Sequence, residues 1–302
     1  MTEFKIWTIG QKQLDRVIDP GDRLSIMVEA EQDFPSMTTK IAIRNKITQS
    51  NKLTEATYSL TRDQKRILYL CMAKLPLNID EDQIEHNGEF VISVAEYAHV
   101  YDLPSSTASQ DIRRALNAFR GREVTIYRPE FDMGDEKGFD AYAWLTKRSA
   151  RPSIGQYQLS INPALIPLMT GLKRDYTSYG LFDVKEINNP LVQRLYETMC
   201  QYRGNRTEGT VVLEVDWIRK RYDLPASYNK IQDFKRYFLN VAIKEINEKT
   251  PMRLTVEERK RGRVITTLVF HFTVTEPRRG ITIDGELTNM TPISGESDLQ
   301  TA

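Results

Sequence analysis

Two hydrophobic periods alternate along the chain, and their order predicts short helices interleaved with short strands. Leu68, Cys71, Met72 and Leu75 recur at i, i+3, i+4 and i+7, the spacing of one helix face, and Thr61 with Gln64 supplies a capping box at its start. Pro76 ends that helix, because a proline ring cannot continue the hydrogen-bond ladder. Residues 90–93 alternate as a strand, and Ser93 with Glu96 predicts a second capping box. A turn at Leu103-Pro104-Ser105-Ser106 offers serine N-caps to a helix with Ala108, Ile112, Ala115, Leu116 and Phe119 on one face. Its other face carries Ser109, Gln110, Arg113, Arg114 and Asn117. Residues 124–127, 142–146 and 157–161 then predict strands, separated by a glycine-containing loop at 132–138 and a basic loop at 147–152.

This plan recurs about 121 residues later. Ile92-Ser93-Val94 leading through Tyr97 to Tyr101-Asp102-Leu103-Pro104 is answered by Leu213-Glu214-Val215 leading through Ile218 to Tyr222-Asp223-Leu224-Pro225. Gln110-Asp111-Ile112-Arg113-Arg114 is answered by Gln232-Asp233-Phe234-Lys235-Arg236, and Leu68, Tyr69 and Met72 by Leu195, Tyr196 and Met199. In the second copy Asn189-Pro190 starts a helix with proline in its first position, Asp216 is a candidate cap, and Ile231, Phe234, Phe238, Val241 and Ala242 form the apolar stripe. Residues 252–257 and 264–274 predict a hairpin around Lys260-Arg261-Gly262-Arg263.

The fold class is therefore α+β, with two tandem winged-helix domains related by internal duplication. The domains expected are a poorly ordered extension at 1–46, a first winged-helix domain at 47–172, a second at 173–279, and an acidic disordered tail at 280–302. Composition agrees with an ordinary globular chain of 302 residues, 40% hydrophobic and 27% charged. No apolar run reaches the ~18 residues of a membrane span, and the start lacks a signal-peptide pattern, so the expected location is the cytoplasm. Two cysteines at 71 and 200, each in an apolar helical pattern, read as buried small hydrophobes rather than a disulfide framework or zinc site.

Net charge is only +1, but it is unevenly spread. From Arg219 to Arg263 thirteen bases face six acids. Such a block suits a polyanion. A turn followed by a helix with a polar, basic face and then a basic-tipped hairpin suits B-DNA, whose major groove of about 12 Å admits one helix. The candidate DNA contacts are Arg62, Ser106, Ser109, Gln110, Arg113, Arg114, Lys147 and Arg148 in the first copy. In the second they are Asn229, Lys230, Asp233, Lys235, Arg236, Lys260, Arg261 and Arg263. For the helix arginines and lysines the competing reading is a solvated face with ion pairs to Asp111 or Asp233. No G-x-x-x-x-G-K-[ST] run is present for ATP, and His86, His99 and His271 stand singly, so no enzyme activity, metal or cofactor is expected.

Several segments carry a resemblance: Leu53-Thr54-Glu55-Ala56, Tyr58-Ser59-Leu60-Thr61-Arg62-Asp63-Gln64-Lys65-Arg66, Asp135-Glu136-Lys137-Gly138, Ile161-Asn162-Pro163 with Leu165-Ile166-Pro167, Cys200-Gln201-Tyr202-Arg203 and Thr250-Pro251-Met252-Arg253-Leu254. Over residues 47–275 the chain resembles the iteron-binding plasmid replication initiators, particularly those of the mini-F type. The resemblance implies a monomer that binds directly repeated origin sites (iterons) in double-stranded DNA, and a homodimer, in equilibrium with it, that represses its own promoter at an operator and so tunes copy number. It also implies contacts with host DnaA, the DnaB helicase and the DnaK chaperone. Tyr237 departs from the pattern, which has an arginine there, and tyrosine cannot make a bidentate guanine contact. Residues 141–148, apolar and aromatic, are the candidate edge strand for the dimer. A winged-helix transcriptional regulator without origin function is the rival reading, and the residues alone do not separate the two.

Overall fold

The computed structural model describes residues 46–76 and 87–275. The extension, the tail and His86 fall outside these, except Lys46, which opens the first strand one residue ahead of the expected start. The first module begins with β1 (Lys46–Ser50), α1 (Asn51–Glu55) and α2 (Arg62–Lys74). The capping box of α2 forms as expected: the Gln64 amide N–H donates to Thr61 Oγ1 at 3.3 Å, and the Thr61 N–H donates to Gln64 Oε1 at 2.8 Å. Next come β2 (Glu89–Ser93), α3 (Val94–Val100) and α4 (Ser105–Ala118). Then follow β3 (Glu123–Tyr127), β4 (Phe139–Ala143), β5 (Leu145–Arg151) and β6 (Gln156–Ile161). β7 (Tyr176–Gly180) returns to pair antiparallel with β1 and leads into α5 (Leu181–Val184).

A long buried helix, α6 (Pro190–Arg203), joins this module to the second: β8 (Glu208–Glu214), α7 (Val215–Arg221), α8 (Ile231–Phe234), a π-helical turn (Lys235–Leu239), α9 (Asn240–Lys249), β9 (Met252–Arg261) and β10 (Val264–Val274). The duplication is explicit in the topology. β2-β6-β5 and β8-β10-β9 have the same strand order, each all antiparallel. Against that common plan, the β3–β4 hairpin is an insertion between α4 and β5, whereas α9 passes directly to β9.

The repeated Tyr-Asp-Leu-Pro performs the same local task twice. Asp102 and Asp223 adopt left-handed backbone, φ 52° and 49°, a conformation aspartate tolerates better than most residues. The following leucines then close the helices with N–H bonds, Leu103 to the Ala98 carbonyl (2.9 Å) and Leu224 to the Arg219 carbonyl (3.0 Å). The preceding tyrosines turn inward: Tyr101 donates to the Arg66 carbonyl at 2.8 Å and Tyr222 to that of Arg194 at 3.3 Å.

The modules meet without a hinge of loose chain. α6 packs on α1 and β7 on one side and on β8 and α9 on the other. Buried Arg194 donates to the carbonyls of Tyr58 (2.9 Å), Ala56 (2.7 Å) and Thr54 (3.3 Å), and its guanidinium lies 3.7 Å from the centre of the Tyr58 ring. Cys71 and Cys200 are free and buried in this core, and desolvation pushes both thiols up to about 12.

Several local expectations are corrected. Ser93 accepts from the Glu96 N–H at 3.0 Å, but the Glu96 carboxylate turns to Lys74 (2.7 Å), so only half a capping box forms. Pro104, not a serine, is the N-cap of α4, and Ser105 and Ser106 lie inside its first turn. Asp216 also sits inside its helix and pairs with Arg219 at 3.0 Å instead of capping. The single strand expected at 142–146 is broken at buried Trp144. Its N–H bonds to the Arg122 carbonyl and its carbonyl to the Asn162 N–H, handing the chain from one sheet to the other. The expected loop at 147–152 is mostly strand β5, paired with β6.

Candidate nucleic-acid interface

In the first module the apolar stripe Ala108, Ile112, Ala115, Leu116 and Phe119 is fully buried, so the opposite face of α4 is fixed outward. Ser106, Gln110 and Arg113 are exposed there, and Arg113 has no ion-pair partner among the described residues. Arg114 is different. Its guanidinium bonds to Asp63 (3.2 Å) and to the buried Asp111 carboxylate, and these two charges raise its pKa further. Arg62 donates to Asp63 at 2.8 Å and stands 3.7 Å from Asp111. Arg62 and Arg114 thus form a network that anchors α4 to α2 while Arg114 keeps an exposed edge. The ion-pair reading holds for Arg114 and not for Arg113.

Two other candidates in this half, Ser109 and Arg148, bond within the fold, and Lys147 does not. The Ser109 hydroxyl is half-buried, 3.0 Å from the Tyr157 hydroxyl. Arg148 donates to the Leu116 carbonyl at 2.7 Å, capping the C-terminus of α4, where a cation is favoured by the helix dipole. Lys147 is exposed on β5 with Glu89 3.8 Å away.

In the second module the helix after the turn starts at Lys230, its exposed N-cap. Arg219 fixes that turn by donating to the carbonyls of Tyr228 (3.2 Å) and Asn229 (2.8 Å) while lying over the Phe234 ring at 5.4 Å. Asn229 is therefore held through its backbone, with its side chain outward. The π-helical turn adds one residue to the helical register. The stripe that an unbroken helix would continue at Val241 passes instead to Ala242 and Ile246, which are buried, whereas Val241 is 39% exposed. Arg236 and Tyr237 project from this turn, with the Arg236 guanidinium 5.1 Å from the Tyr237 ring centre. Asp233 is half-buried on the same helix, and Lys235 is paired to Glu258 on β9. The lysine locks the helix to the hairpin.

That hairpin is a wing. Arg261 pairs with Val264 across a two-residue turn, Gly262-Arg263, and Gly262 takes φ +65°, which only glycine adopts freely. Lys260, Arg261 and Arg263 are exposed and have no ion-pair partner among the described residues. In each module an exposed helix face follows a tight turn, and the second adds a long cationic wing. The positioning residues Arg219 and Glu258 escaped the sequence reading, because their roles depend on backbone carbonyls and a cross-element partner that no local pattern specifies. Among the described residues no cluster of His, Cys, Asp and Glu is arranged to hold a metal ion, and no helix is long and apolar enough to cross a membrane.

Comparison with known proteins places these elements. A family profile described as Initiator Replication protein, WH1, matches residues 46–200, and one described as Initiator Rep protein, WH2, matches residues 214–272. An uncharacterized 27.6 kDa protein of Escherichia coli is 33% identical over 216 residues, 68% of this chain and 87% of that one. A replication initiation protein of Escherichia coli is 23% identical over 224 residues, 74% and 67% of the two chains. Among solved structures, the Pi initiator protein in complex with iteron DNA is similar with a TM-score of 0.62 and 19% identity, over 78% of this chain and 99% of that chain.

Proposed function

This chain belongs to the family of plasmid replication initiator proteins built from paired WH1 and WH2 winged-helix domains, and from that premise we propose that it starts plasmid replication by binding directly repeated origin sequences. The observation that carries the reading is the pairing of two outward helix faces on one buried joint. Because Arg194 and α6 tie the modules together, one monomer presents both helices to the duplex at a set spacing. That suits two successive major grooves on one face of the DNA. The bases of the wing suit the adjacent phosphates, and Gln110, Arg113 and Arg236 suit base edges.

The finer roles are part of the same proposal. A homodimer in equilibrium with the monomer represses the promoter at an operator, host DnaA, DnaB and DnaK are the partners, and the cytoplasm is the location. The winged-helix limits expected at 47–172 and 173–279 enter this reading with their boundary moved past β7 and α5, because β7 pairs with β1 in the first module, and α6 is shared by both cores. Footprinting on the parent plasmid's direct repeats, together with replication of an origin fragment supplied with this protein in trans, tests it. Protection of each repeat and rescue of replication are expected. Binding confined to a lone operator, with no rescue, would establish the rival transcriptional regulator.

A further inference from the structure

The inserted β3–β4 hairpin is unnecessary to a winged helix, and its connecting loop, residues 128–138, is built to a single shape. The Asp132 carboxylate accepts from the Tyr127 hydroxyl, from Lys137 Nζ at 2.9 Å and from the Gly138 N–H at 2.9 Å. Met133 and Glu136 exchange backbone bonds, both 3.1 Å, and Arg128 donates to Asp140 at 2.6 Å. At Gly138 a Cβ would lie 2.4 Å from the Arg128 carbonyl oxygen and 2.6 Å from Phe131 Cβ, so no larger residue fits. These bonds hold Asp132 ionised down to about 2.

The shape so fixed holds Phe131, Met133 and Phe139 in solvent, 71%, 74% and 63% exposed. A cluster of large apolar side chains on a braced loop marks an interaction surface. Its charge excludes nucleic acid. Residues 128–140 contain five acids and two bases, and both bases are paired within the loop, Arg128 with Asp140 and Glu130 and the exposed Lys137 with Asp132. Glu130, 3.6 Å from Arg128, and Asp135 and Glu136, which have no ion-pair partner among the described residues, stand around the apolar tips.

We propose that this loop is a docking surface for a partner protein that offers an apolar pocket rimmed by lysine or arginine. Aromatic and methionine side chains are suited to act as pocket-filling anchors, and the acidic rim selects the basic surround. A second copy of this chain is a poor occupant. A two-fold contact would set the patch against itself and bring Glu130, Asp135 and Glu136 opposite their own copies.

The experiment uses the full chain and a fluorescent amphipathic helical peptide of leucine and lysine, with a leucine–glutamate peptide and an alanine–lysine peptide as controls, read by anisotropy. The leucine–lysine peptide is expected to bind at least tenfold more tightly than either control. Phe131→Ser/Met133→Ser and Asp135→Lys/Glu136→Lys are each expected to weaken it at least tenfold while leaving DNA binding unchanged, which also reports that they fold. Three results overturn the proposal: equal peptide binding by wild type and both variants, loss of DNA binding in the variants, or self-association of the wild type in sedimentation that the Phe131→Ser/Met133→Ser variant abolishes. The last would identify a second copy as the occupant.

Discussion

Lys65 on α2 and Glu197 on α6 form a buried ion pair at 2.9 Å that joins the two modules across 132 residues of chain. Tyr69 and Tyr179 complete it, donating to the same carboxylate at 2.7 and 3.3 Å. A buried pair adds little net stability over a well-packed apolar pair, but breaking it strands a charge. Glu197→Ala is accordingly expected to cost about 3–5 kcal/mol, read as the shift in urea midpoint at constant slope. Lys65→Met combined with Glu197→Leu is expected to cost less than Glu197→Ala alone. If the double variant costs the sum of the two singles, the residues do not act as a unit.

Alkaline pH tests the same core. Burial raises the phenol pKa of Tyr58, Tyr69, Tyr97, Tyr101, Tyr179, Tyr196 and Tyr222 well above the usual 10. Above pH 10 the unfolded chain has released these protons and the native chain has not, so the native state binds more protons and stability falls as pH rises. Lys65 works the other way. Burial pushes it down to about 8 from its ordinary 10.5, so between those values the unfolded chain is the one that keeps the extra proton and stability gains. One lysine is outweighed by seven phenols above pH 10. Thermal unfolding followed from pH 7 to 11 is expected to show a steep decline only beyond pH 10, with phenolate absorbance from these seven appearing together with unfolding. A flat profile to pH 11 would contradict the burial.

Much of this architecture was legible in residues whose role is local. Tyr-Asp-Leu-Pro announces its turn twice because aspartate accepts left-handed backbone, and the α4 stripe was complete because an uninterrupted helix keeps its period. What escaped was decided by tertiary partners. The stretch 147–152 has the pattern of a loop because Lys147, Arg148 and Arg151 lack an apolar face, and most of it is strand because β6 supplies the ladder. The period alone puts Val241 on the buried stripe, since no sequence signal marks the added residue of the π-helical turn. The contact of Ser109 with Tyr157 and the bond of Arg148 to the end of α4 likewise depend on partners far along the chain.

The two helix faces are expected to be separable on DNA. Arg113→Ala is expected to weaken protection of one half of each repeat, and Arg236→Ala the other, each by about 1–3 kcal/mol with relaxed preference at one base pair. Arg114→Ala has a second consequence, lower stability, because its bonds to Asp63 and Asp111 anchor α4. Lys260, Arg261 and Arg263 are expected to lower affinity for every sequence and to flatten its salt dependence. Uniform shrinkage of the footprint by Arg113→Ala and Arg236→Ala would refute separate half-site reading.

The edge strand expected at 141–148 divides between β4 and β5, and the proposed switch to a repressing dimer passes to β5. It is an edge strand, paired with β6 on one side only, so its other side offers unpaired backbone groups to a second chain. Pairing of two such edges about a two-fold axis would give a dimer matched to an inverted-repeat operator. Successive N–H groups of a strand point to opposite sides, so proline at 147 and proline at 148 remove different donors, one toward β6 and one toward the free edge. Lys147→Pro is the cleaner change, because Arg148 also caps α4. The variant that loses the outer donor is expected to sediment as a monomer and repress its promoter poorly. It is expected to bind the direct repeats with unchanged affinity and to raise plasmid copy number. If both proline variants stay folded and dimeric with intact operator affinity, the subunits meet elsewhere.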